Sequence, residues 1–121
     1  MDTLPSTSKM ASFDTKLEHL VKRIMKYNLA DSLAWCISDY GVRKFEHFHS
    51  IDLDEIDKLT FTIGTIKAEK ITPIDAKALC KAVIYALHKE EQGDVDCDDP
   101  VQWVVREYQR WSRNGPAAYL L

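Results

Sequence analysis

The chain has 121 residues, with 16 Lys and Arg against 19 Asp and Glu for a formal net charge of -3, and 45% of its residues are hydrophobic. That is ordinary globular composition, and the length allows one compact domain burying roughly 65% of its unfolded surface, with no need of a metal or disulfide framework. Cys36, Cys80 and Cys97 are odd in number and lie far apart with no CxxC pair, no apolar run approaches the roughly 20 residues of a membrane span, and MDTLPSTSKMAS has neither the basic nor the apolar region of a signal peptide.

The expectation is therefore an intracellular protein, cytoplasmic or nuclear, with reduced thiols. Charge is uneven: residues 31–60 hold seven acidic side chains against three basic ones. A mildly acidic total argues against bulk nucleic-acid binding but leaves room for a local basic face.

Residues 1–11 contain Pro5, several Ser and Thr and few large apolars, too little to offset the entropy of ordering them, and are expected to be a disordered tail. Ser12 is the expected N-cap of a first helix reaching about Tyr27, in which Phe13, Leu17, Leu20, Val21 and Ile24 form one apolar stripe. After Asn28 to Asp31, the residues Leu33, Cys36, Ile37 and Tyr40 make a second stripe closed by Gly41. Phe45 and Phe48 support a short third helix. Asp52 with Glu55 three residues on reads as a capping box, opening a two-turn fourth helix through Leu53, Ile56 and Leu59.

From Thr60 to Ile71 the helical period vanishes, β-branched residues alternate around Gly64, and a loop or small hairpin is predicted. Thr72 as N-cap, Pro73 at the first helical position and Asp75 in the first turn then begin a long helix to Glu91, with Leu79, Ala82, Val83, Ala86 and Leu87 on its buried face. Gly93 ends it. An acidic spacer over 92–99 leads to a last helix over 100–113, capped by Asp99 and Pro100 and carrying Trp103, Val104, Tyr108 and Trp111, and Asn114-Gly115-Pro116 stops it before a tail over 114–121. The apolar surface of that helix is more than a monomer leaves exposed, so it is expected to fold back on the first or the long helix. The fold class is all-α, a single helical domain over 12–113 built as a compact bundle of about five to six helices.

Few residues suggest chemistry. Asp94, Asp96 and Asp98 open like a calcium loop, but Asp99 and Val105 stand where an EF-hand needs Gly and a bidentate Glu. His47 and His49 with Cys36 and Cys80 are donor types for zinc, yet two-residue spacing splays the histidines and both thiols lie on apolar stripes. No glycine-rich loop presents a nucleophile or cradles phosphate. No catalytic residue, metal, cofactor or small-molecule substrate is expected.

What remains are charged faces. Asp52, Asp54, Glu55 and Asp57 form an acidic region, and Lys77, Lys81 and Lys89 on the long helix a basic one, suited to meeting a protein partner or another copy of the chain. Lys22, Arg23 and Lys26, with Arg106, Arg110 and Arg113 beside the C-terminal tryptophans, form the alternative, a nucleic-acid-binding surface.

The succession of a helix ending in Gly41-Val42, a short helix with Phe45 and Phe48, the segment HSIDLDEIDKL, a break, and the long helix TPIDAKALCKAVIYAL resembles the sterile alpha motif (SAM) family over about residues 29–91. The resemblance implies a non-catalytic association module, often self-assembling head to tail. The acidic spacer followed by WVVREYQRWSRNG is more faintly similar to the helical leader of Gag-like retroelement polyproteins, which implies self-assembly or nucleic-acid packaging within a longer protein.

Overall fold

The computed structural model describes residues 10–62 and 67–114. It is mostly helical with one small two-stranded sheet. Helix α1 (Thr15–His19) runs directly into a π-helical turn, Leu20–Ile24, and is followed by α2 (Ser32–Tyr40). Two 3₁₀ helices, Phe45–Ser50 and Leu53–Lys58, lead to the antiparallel strands β1 (Thr60–Phe61) and β2 (Glu69–Lys70), then to α3 (Pro73–Gln92), a third 3₁₀ turn (Pro100–Gln102) and α4 (Val105–Asn114).

The first helix departs from expectation at both ends. Its N-cap is Asp14, whose Oδ1 accepts from the amide of Leu17 at 2.8 Å and, at 3.3 Å, from that of Phe45, so one carboxylate caps α1 and pins the first 3₁₀ helix. Ser12 is exposed. Ala11, placed in the expected disordered tail, is instead buried, and its amide donates to the Leu29 carbonyl at 2.8 Å; residues 1–9 lie outside the described residues. The π turn widens the helix by one residue per bond, as in Met25 N–H to Leu20 O, and Leu20, Val21 and Ile24 all reach the core. Lys26 then turns the chain away with φ 65°, so the helix stops short of Tyr27.

Several local expectations hold. Gly41 and Gly93 end α2 and α3 in left-handed conformation at φ 106° and 71°. Thr72 caps α3 by accepting from the Asp75 amide, with Pro73 at the first position. The hairpin forms with Thr60 opposite Lys70 and Phe61 opposite Glu69, while its centre, including Gly64, lies outside the described residues.

The capping box does not form: Asp52 accepts from the Asp54 amide two residues on, and Glu55 instead accepts from the Tyr40 hydroxyl at 2.8 Å. The segment accordingly winds as a 3₁₀ helix, with Ile56 buried against α3 and Leu53 left exposed.

The C-terminal region folds back as expected, on both α3 and the α1 region, but not as one helix. Trp103 is extended at ψ 143°, between the 3₁₀ turn and α4. This break drops the indole into an aromatic cluster, edge-on to Phe45 at 5.7 Å and to Tyr85 at 5.3 Å. Tyr108 and Trp111 follow on α4, each with its ring centroid 5.0 Å from that of Tyr85. A continuous helix would carry Trp103 along α4's own axis and away from Phe45.

Emptying this site removes a large buried ring that its rigid neighbours cannot replace. Trp103→Ala is expected to lower stability by about 3–5 kcal/mol in chemical denaturation, whereas Val95→Ala, at a fully exposed position, is expected to stay within about 0.5 kcal/mol.

Candidate functional site

The acidic spacer and the end of α3 make a closed ion cluster. The Lys89 side chain is 8% exposed, and its Nζ lies 3.0 Å from Asp96 Oδ1 and 3.2 Å from Asp94 Oδ2. The same ammonium sits 5.6 Å from the Trp103 ring centroid and 5.7 Å from that of Tyr85, within cation–π range. The Asp96 carbonyl accepts the Trp103 indole N–H at 2.7 Å. Burial pushes the Lys89 pKa down, but hydrogen bonds to Asp96 and Asp94 outweigh it and hold it above the ordinary value.

Lys89 is thus a correction to the sequence reading: its charge is consumed inside the fold and does not belong to a partner-binding face. The same contacts explain the first two carboxylates of the Asp-x-Asp-x-Asp run, whereas Asp98 contributes only its backbone carbonyl. Asp94 and Asp96 serve Lys89, and the Asp98 carbonyl accepts from Lys16 Nζ at 3.1 Å.

Asp75 carries a second polar knot that the sequence did not announce. Its carboxylate accepts from the Tyr27 hydroxyl at 3.0 Å and from Ser32 Oγ at 3.3 Å, tying the first turn of α3 to the turn after Ile24 and to the start of α2. Burial, aided by that carboxylate, pushes the Tyr27 phenol up to about 12. The only advance signal was an acidic residue at a helix N-terminus, which has its own local reason to be there.

The remaining charged residues are placed differently. Asp52, Asp54, Glu55 and Asp57 are all exposed on the second 3₁₀ helix, and among the described residues none forms an ion pair. Lys77 is exposed and Lys81 half-buried, one turn apart on α3, and they too form no ion pair among the described residues. With Ile74 and Ala78 of the same helix they line a groove of about 410 Å³ that also takes in buried Met25 and, from α4, Tyr108 and Ser112. The acidic 3₁₀ helix packs against α3.

Lys22 and Arg23 are exposed on the π turn, with Lys22 Nζ 3.6 Å from Glu18; Lys26 is exposed but lies beyond the helix, not on its face. Arg106, Arg110 and Arg113 share the solvent side of α4, which packs through its other side on the π turn and on α3.

Donor and nucleophile types do not converge. His47 is exposed beside Glu46 at 3.5 Å, His49 sits edge-on to Phe45, and His88 stacks on Trp111. Burial pushes the Cys36 thiol up to about 12 and raises that of Cys80, opposite to an activated thiolate. Among the described residues, no three His, Cys, Asp or Glu side chains group as metal ligands. No helix among the described residues is long and apolar enough to cross a membrane. Compared with family models, characterised proteins and solved structures, the chain matches none.

The shifted groups share one sign. Cys36 keeps its proton in the fold to about pH 12 against an ordinary value of 9.0, and Tyr27 to about 12 against 10.0, while Tyr108, Tyr85 and Lys89 are also raised. Above pH 9 the unfolded chain therefore loses protons that the folded chain retains, and stability falls as pH rises. Thermal melts followed by circular dichroism are expected to show a level midpoint from pH 7 to about 9 and a steady fall above it; a midpoint that rises toward pH 10 would contradict these burials.

Proposed function

We propose that this chain is a non-catalytic, SAM-like association module in which an acidic face, Asp52, Asp54, Glu55 and Asp57, meets a basic face, Lys77 and Lys81, on another copy or on a partner protein. The observation that carries the reading is that the four carboxylates and Lys77 are exposed, Lys81 is half-buried, and none of them makes an ion pair among the described residues, while Lys89, the lysine nearest the acidic spacer, is fully engaged. Leaving both signs without an ion pair on one domain favours contact between molecules over contact within one. Such a contact between copies is heterologous, so it builds an open chain unless its rotation closes a ring. The order of α2, two short helices and the long α3 supports the SAM-like comparison, and the hairpin between them departs from it.

Light scattering after size exclusion, over a range of concentration, is expected to show mass rising with concentration at low salt and less so at high salt, because exposed ion pairs are screened. Asp54→Asn with Asp57→Asn, and separately Lys77→Gln with Lys81→Gln, should each give a monomer. The two variants mixed should restore a 1:1 dimer holding one native joint. A wild-type chain monomeric under every condition would overturn self-association.

A second reading, nucleic-acid binding by a Gag-like domain of a longer polyprotein, is favoured by one observation: α4, with Arg106, Arg110 and Arg113 on its outer side, packs on the π turn that carries Lys22 and Arg23. Two basic clusters thereby come onto adjoining elements. Fluorescence anisotropy with labelled single-stranded and duplex oligonucleotides at about 50 mM salt tests it; affinity should fall steeply with salt through counterion release, and Arg106→Glu with Arg110→Glu should abolish it. An absence of binding at that salt concentration would discard this reading.

A further inference from the structure

The groove between α3 and α4 has buried Met25 in its lining, and Ile74 beside it is 78% exposed, an unusual degree for a large aliphatic side chain on a helix whose other face is core. Ile74, Lys77, Ala78 and Lys81 follow at helical spacings of three, four and seven, so they form one continuous strip. The other wall, Tyr108 and Ser112, comes from α4, so the C-terminal helix completes the groove and is more than a cover for Tyr85.

The acidic 3₁₀ helix has the complementary layout. Residues three apart eclipse in a 3₁₀ helix, so Leu53 and Ile56 share one ridge, Asp54 and Asp57 a second, and Glu55 and Lys58 a third. Ile56 and Leu59 are buried, whereas Leu53, at the open end of the ridge, is 39% exposed between two carboxylate ridges. The spacings also agree: Lys77 and Lys81 are about 6 Å apart along α3 at 1.5 Å per residue, and Asp54 and Asp57 about 6 Å apart along their helix at 2.0 Å per residue.

We infer that the α3–α4 groove is the seat for the Leu53 side chain of a second copy of this chain, with that copy's Asp54 and Asp57 paired to Lys77 and Lys81 along the rim. The inference rests on the association reading above and adds to it an apolar centre, contributed by Leu53 on one side and by Ile74 and Met25 on the other. Apolar burial gives the joint an affinity that salt does not screen, while the rim charges set register and exclude other partners.

The test uses the capped 1:1 dimer, in which the Lys77→Gln, Lys81→Gln variant offers only its acidic face and the Asp54→Asn, Asp57→Asn variant offers only its groove. Leu53→Ala in the first variant, or Ile74→Ala in the second, should weaken the dimer about tenfold or more, the scale expected for losing a buried aliphatic contact. The same substitutions exchanged between the two partners should leave affinity unchanged. Both positions are exposed in the monomer, so unchanged circular dichroism and melting midpoints should accompany every variant. A capped dimer whose affinity ignores both substitutions would overturn the groove as the seat while leaving charge-mediated association intact. Weakening by Ile74→Ala alone would assign the groove to another segment and overturn the role of Leu53. A wild-type chain that never associates would remove the underlying reading and this inference together.

Discussion

The C-terminal third of the molecule is held by one buried cation. The Lys89 ammonium, almost closed from solvent, faces carboxylates of Asp94 and Asp96 on one side and the rings of Tyr85 and Trp103 on the other. Taking an ammonium out of water is costly and is tolerated only where several groups replace its hydration. Each group it recruits is itself committed elsewhere: Asp96 accepts the Trp103 indole through its carbonyl, and Trp103 packs on Phe45. Satisfying one charge therefore fixes the path of the spacer, the break before α4 and the angle at which α4 returns to the bundle. The site is a constraint of geometry more than a source of net stability, since a buried pair of charges often does little better than apolar residues of the same shape.

A similar economy recurs at the other end. Asp14 caps α1 and also receives the Phe45 amide, and Asp75 sits in the first turn of α3 while tying down Tyr27 and Ser32. Both carboxylates have a local reason that would justify them in an isolated helix, and both join segments more than thirty residues apart. With these carboxylates and Lys89 used internally, the charges that form no ion pair among the described residues become informative. Those on the second 3₁₀ helix and on the first half of α3 are the residue of this accounting, and they lie beside the exposed Leu53 and Ile74. The association reading and its apolar centre both rest on that selective lack of ion pairs.

The acidic and basic faces were legible as composition, but their membership was not. Lys77, Lys81 and Lys89 look alike in the sequence, each a lysine on the long helix, and only the return of the spacer across the helix end distinguishes the one that is consumed. The groove was not legible at all. Its two walls are separated by about thirty residues, and nothing local in Tyr108 or Ser112 marks them as neighbours of Ile74.

By itself the sequence determined the features that depend on the nearest few residues: the left-handed exits at Gly41 and Gly93, the Thr72–Pro73 start of α3, and the apolar stripes of α2 and α3 apart from Tyr40 and Leu87, which are exposed. These follow from backbone sterics and from hydrogen bonds spanning three or four positions, which no distant contact needs to supply. Tertiary structure decided the π turn at Leu20–Ile24, the 3₁₀ winding of Leu53–Lys58 and the interruption at Trp103. Alternative helical windings differ little in intrinsic energy, so the choice falls to whichever places Val21, Ile56 or the Trp103 ring in the core, and the burial of a large side chain outweighs the local preference.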